Sequence, residues 1–133
     1  FFRREQGPVI AAIRKRRPIL VGAQHLADVA QPLLGAAAHD VSPLPDAYSA
    51  VERVTHETLL AIERCDADLV LLSAGLASNV IAHKIHLQHP EVSLFDTGAC
   101  WDPYAGVGSR KGYRKPHVPE LIAANLAAAD AAP

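Results

Sequence analysis

The sequence predicts an α/β domain, a doubly wound (Rossmann-like) sheet of about four mostly parallel strands with helices on both faces. Two runs, Ile19–Val21 and Leu69–Leu72, are apolar without a break, the pattern of strands buried on both faces of a parallel sheet. Each leads into a glycine turn, at Gly22 and at Gly75, and then into a segment with helical spacing. Strands that alternate with helical segments of ten or so residues imply crossover connections.

The elements follow in order. From Arg3 to Arg17, apolar Val9, Ile10 and Ile13 stand among basic residues, and Pro8 suits an early helical position, so a helix with a cationic face is expected before Pro18. Strand Ile19–Val21 comes next. A short helix from His25 to Leu34 stops at Gly35, with Pro32 inside it. Val41 to Leu44 reads as an edge strand, since Pro43 cannot donate to a ladder. Asp46 is placed to cap a long helix that runs to Cys65 through Val51, Val54, Leu59, Leu60 and Ile62. After the central strand Leu69–Leu72 and the turn Ser73-Ala74-Gly75, Ser78 or Asn79 opens a helix through Ile81, Ile85 and Leu87 that ends before Pro90. Strand Val92–Phe95 runs into Asp96-Thr97-Gly98. A loop rich in Gly, Pro and aromatic residues spans 101–119, and a helix from Pro119 to Ala129 closes the chain.

At 133 residues, residues 1–133 make one domain, and Phe1-Phe2 with no methionine anywhere reads as part of a longer protein. A net charge of -1 gives no reason to expect nucleic acid as partner. No apolar run is long enough for a membrane span, there is no secretory cleavage pattern, and two cysteines make no disulfide framework, so a cytoplasmic protein is expected. Basic residues crowd two places, Arg3, Arg4 and Arg14 to Arg17 at the start and Arg110, Lys111, Arg114 and Lys115 late in the chain, and either cluster is suited to face an anion.

In open α/β sheets, ligands sit beyond the carboxyl ends of the strands, where turns and helix starts present unpaired N–H groups. The turns at Gly22, Gly75 and Asp96-Thr97-Gly98 are therefore expected to share one crevice. Small residues at Gly75, Ala77 and Ser78 let backbone approach an anion. Asp96 and Asp102 are the acidic candidates, for ligand hydroxyls or for a divalent metal through oxygen; as structural residues they cap a turn and open an Asp-Pro turn. Arg110 has the fork that phosphate prefers. His25, just past the first strand's turn, is a candidate general base. His83, His86 and His89 read as a solvated helix face rather than zinc ligands. Ser73 lacks a Gly-x-Ser-x-Gly elbow, which disfavours a hydrolase triad.

The string L-V-L-L-S-A-G-L-A-S-N-V-I-A-H-K-I at 69–85, then S-L-F-D-T-G-A-C-W-D-P-Y at 93–104 and S-R at 109–110, resembles the C-terminal half of GT-D-type glycosyltransferases. P-I-L-V-G-A-Q-H-L at 18–26 resembles the family's earlier strand and turn. The resemblance implies sugar transfer from a nucleotide-sugar donor to an acceptor hydroxyl, with magnesium or manganese as cofactor. It matches Gly75, Ala77 and Ser78 to the family's turn, Asp96 and Gly98 to its Asp-x-Gly, and Asp102 with Arg110 to the acid and base downstream. Leu76 stands where members often carry proline. The family's Asp-x-Glu signature belongs to an N-terminal half and occurs nowhere in this sequence, which implies a missing N-terminal half, a partner subunit or a relative without transferase activity. Two other classes stay open: a non-catalytic α/β binding or scaffold module, and a phosphosugar isomerase-like enzyme with His25 as base.

Overall fold

The computed structural model describes residues 5–43 and 45–133. Four parallel strands form one sheet: β1 (Ile19–Gly22), β2 (Ala38–Val41), β3 (Leu69–Ser73) and β4 (Ser93–Asp96), in the order β2-β1-β3-β4. Five α-helices surround it: α1 (Gln6–Arg16), α2 (Ala27–Leu34), α3 (Val51–Cys65), α4 (Ala77–Gln88) and α5 (Val118–Ala131). The chain leaves β1 toward β2 and leaves β3 toward β4, so the strand order reverses between β1 and β3.

Alternation along the buried strands builds two cores. Leu20, Leu69 and Leu71 point to one face and pack with Ile10 and Ile13 of α1 and Val29, Leu33 and Leu34 of α2. Ile19, Val21, Val70 and Leu72 point to the other and pack with Val54 and Ile62 of α3 and Ile81 and Ile85 of α4. Helices on both faces are what a doubly wound sheet requires. The outer layer is completed by α5, which lies on α1 so closely that a Cβ on Gly7 would overlap that of Ala128. Arg14 ties this layer together: its Nε donates to the Leu33 carbonyl and its Nη1 to Asp130, both at 2.7 Å.

The strands and helices fall where the apolar pattern puts them, with instructive shifts. The edge strand is Ala38–Val41 rather than 41–44; Leu44 lies outside the described residues. Nothing in Ala38-His39-Asp40 favours a strand by itself, and parallel pairing with all four residues of β1 imposes it. A 3-10 turn at Gln24–Leu26 precedes α2, so His25 is not in the α-helix. Asp46 caps a lead-in turn, its Oδ1 accepting from Ser49 N–H at 3.3 Å, and α3 begins only at Val51. Leu60 and Leu87, expected on buried helix faces, are exposed. The 101–119 segment folds into two 3-10 turns, Asp102–Ala105 and Lys111–Arg114. No helix among the described residues is long and apolar enough to cross a membrane. Arg3 and Arg4, expected at the start of the first helix, lie outside the described residues.

Candidate functional site

The loops after β1, β3 and β4 converge at the carboxyl rim of the sheet, beside the reversal between β1 and β3. They enclose a crevice of about 440 Å³. Ala23 and His25 come from the first loop, Ser73 and Gly75 from the second, and Gly98, Asp102 and Arg110 from the third and its continuation. Gly75 and Gly98 have φ of +59° and +51° with open space where a Cβ would stand, so their backbones face the crevice bare.

One pairing organises the chemistry. His25 Nε2 lies 2.8 Å from Asp102 Oδ1. Because a carboxylate oxygen only accepts, Nε2 carries a proton; in the neutral imidazole the lone pair is then on Nδ1, which takes no hydrogen bond among the described residues. The Asp102 Oδ2 accepts from Ser109 Oγ, and the Asp102 carbonyl accepts from Val107 N–H at 2.9 Å, which folds the loop back on itself. Asp102 is buried while His25 keeps partial access to solvent. This is an imidazole whose ring is oriented by a carboxylate, an arrangement that can serve proton transfer.

Ser73 adds a hydroxyl to the crevice lining and ties it to the neighbouring loop. Ser73 Oγ lies 2.8 Å from Thr97 Oγ1, which also lies 3.1 Å from the Leu72 carbonyl and accepts from Trp101 Nε1 at 2.9 Å. Burial and the nearby Asp102 push the Cys100 thiol up to about 12, so this sulfur stays protonated and inert. Burial raises the Tyr113 hydroxyl too, with Cys100 and Asp102 adding to the rise and Arg110 opposing it.

Several expected site residues lie elsewhere. Gly22 is inside the sheet, paired with Val41 and Ser73, and a Cβ on it would come within 2.7 Å of Leu26; its smallness serves packing. Ala77 is buried in the first turn of α4. Ser78 is 0% exposed, and its hydroxyl accepts from Ala74 N–H at 3.1 Å, so it closes the turn from within instead of facing a ligand. Asp96 caps its own turn, Oδ1 accepting from Gly98 N–H at 2.9 Å, and lines a different cleft with Phe95 and Trp101.

Asp96 and Asp102, the two carboxylate candidates for a divalent metal, do not share a cleft. Both are engaged by protein donors, and among the described residues no three His, Cys, Asp or Glu gather to hold a metal ion. His83 and His86 are exposed on α4. Sequence reasoning missed the partnership of His25 with Asp102, 77 residues apart, and the contribution of Ser109. Compared with known protein families, curated proteins and solved structures, the chain finds no significant match.

Proposed function

We propose that the crevice binds a nucleotide-sugar, and that this chain is the donor-site part of a protein resembling GT-D-type glycosyltransferases. The observation that carries the proposal is the meeting of an oriented base, His25–Asp102, with two bare glycine turns and Arg110 at the switch point of a parallel sheet. In such a site the backbone at Gly75 and Gly98 and the guanidinium of Arg110 receive the diphosphate. Transfer then needs an acceptor oxygen to attack the anomeric carbon as the bond from that carbon to the diphosphate breaks. The bonding electrons leave with the nucleoside diphosphate, and the acceptor's proton passes to Nδ1 of His25. Charge grows on the leaving group along this path, so Arg110 stabilises the transition state more than the ground state.

The test is calorimetric titration with a panel of nucleoside diphosphosugars, paired with melting curves. Binding should raise the melting temperature, and Arg110→Gln should weaken it about 10-fold, since one charge-assisted bond contributes about 1.4 kcal/mol or more. Absence of both heat and thermal shift with every member of the panel would defeat the proposal.

The His25–Asp102 pair also favours a second reading, a phosphosugar isomerase-like enzyme in which Nδ1 removes a proton from carbon beside a carbonyl. Incubation with aldose and ketose phosphates in D₂O separates the two. Deuterium appearing at a carbon-bound position supports proton abstraction, and unlabelled sugar returns the case to transfer.

A further inference from the structure

We infer that the cavity next to the candidate site, between the 102–109 loop and the start of α5, is a second anion subsite that holds a phosphate-type group of the second reactant. The inference builds on the crevice being a ligand site, and it adds where the other reactant docks and what chemistry that reactant carries.

The cavity measures about 440 Å³. Its floor is apolar, with Pro103, Val118 and Ile122, and its wall is cationic, with Arg114 and Lys115 beside Tyr113. Val107 borders both this cavity and the His25 crevice, so the two are neighbours across one side chain. Tyr113, on the wall of this cavity, feels the charges of both Asp102 and Arg110, which belong to the first crevice.

The electrostatics are one-sided. Between Asp102 and Glu120 the sequence has four Arg or Lys residues and no acid. Among the described residues, none of Arg110, Lys111, Arg114 and Lys115 takes part in an ion pair. Unpaired surface cations are ordinarily just solvated, but Arg114 is seated. Its Nε donates to the Gly108 carbonyl at 2.7 Å, and its stem lies so close over Gly108 that a Cβ there would come within 2.9 Å of its Cγ. Its two terminal nitrogens take no hydrogen bond among the described residues, which leaves a planar fork on an anchored stem for two oxygens of one phosphate. A chain-wide charge of -1 points to a discrete anionic group rather than an extended polyanion. A reactant anchored at Arg114 and Lys115 and lying across Val107 brings its other end to His25, where an acceptor hydroxyl would need to be.

The experiment is a ¹H–¹⁵N titration with inorganic phosphate, against chloride at matched ionic strength. Wild type, Arg110→Gln, the double variant Arg114→Gln/Lys115→Gln, and Gly108→Ala are compared, with preserved amide dispersion showing that each is folded. Two saturable groups of shifts are expected, one at Gly75, Gly98 and Arg110 and one at Gly108, Tyr113 and Lys115. The double variant should weaken the second group at least 10-fold and spare the first. Gly108→Ala keeps every charge but unseats Arg114, and should weaken the second group several-fold. The subsite is refuted if the second group stays still, moves equally in chloride, or survives the double variant unchanged. A first group that stays still while the second saturates would instead overturn the crevice as an anion site and keep the subsite.

Discussion

Replacing Gly7 with alanine should loosen the whole outer helical layer. The added Cβ would overlap that of Ala128 and stand 2.9 Å from the Asn125 carbonyl oxygen and 3.1 Å from the Ala129 nitrogen. None of these is the tip of a flexible side chain, so α1 and α5 must move apart. Overpacking of this kind costs about 1–3 kcal/mol, against which alanine's better helix propensity returns about 1 kcal/mol at most, less near a helix start. A net loss of about 1–2 kcal/mol, or about 3–8 °C in melting temperature for a chain of this length, is expected. Urea unfolding followed by Trp101 fluorescence measures it. Gly112→Ala is the control, since open space surrounds that position; it should change stability by less than about 0.5 kcal/mol. Because α5 also supplies Val118 and Ile122 to the second cavity, Gly7→Ala should blunt phosphate shifts there as well. A Gly7→Ala protein as stable as wild type would refute the close α1–α5 contact.

Three more outcomes are expected. Asp102→Ala removes the bond to His25 from a buried position and should cost about 1.5–3 kcal/mol in denaturant unfolding, whereas Ser109→Ala, on the exposed side of the same carboxylate, should cost less than about 1 kcal/mol; equal losses would contradict the geometry. A thiol reagent under native, mildly alkaline conditions should label Cys65 and leave Cys100 untouched until denaturant is added, and rapid native labelling of both would show that Cys100 is not buried as described. Asp40 has its carboxyl raised above 3.8, first by burial, with Thr58 opposing and Glu57 adding to the rise, and its Oδ2 is buried without a hydrogen bond. The native state then binds its proton more tightly than the unfolded chain, so stability falls as pH rises from 3.8 through the raised value, and the penalty is complete above it. Asp40→Asn should therefore raise the melting temperature at neutral pH by more than it does below pH 3.8, and an identical difference at both would rule the linkage out.

Much of this architecture is legible because burial leaves a plain mark on the sequence. The unbroken runs at Ile19 and Leu69 specify the two inner strands, and the glycines behind them locate the rim where the loops meet. β2 is harder to see because Ala38, His39 and Asp40 are held by what they pair with, not by their own preferences. Ser78 has the composition of a ligand donor, yet the first turn of α4 points its hydroxyl back to Ala74, a matter of direction that spacing does not encode. Asp102 and His25 each stood out alone, but only the closing of the sheet brings residues so distant in sequence together. Asn125 carried no signal in its alanine-rich surroundings, although it is fully buried and its Oδ1 accepts from Gln6 N–H at 3.1 Å at the start of α1.

The hydroxyls under the crevice leave room for only one distribution of hydrogens. Trp101 Nε1 can only give, and the Leu72 carbonyl can only take, so Thr97 spends its own hydrogen on Leu72 and must receive one from Ser73. Ser73 therefore turns lone pairs, not a proton, toward the cavity. If the crevice holds the proposed nucleotide-sugar, the Ser73 oxygen would accept from a sugar hydroxyl and disfavour a bare phosphate oxygen, whereas Arg110 in the same lining would favour the anion. On that reading, the order of hydrogens beneath the rim would set which end of a bifunctional ligand lies over Ser73.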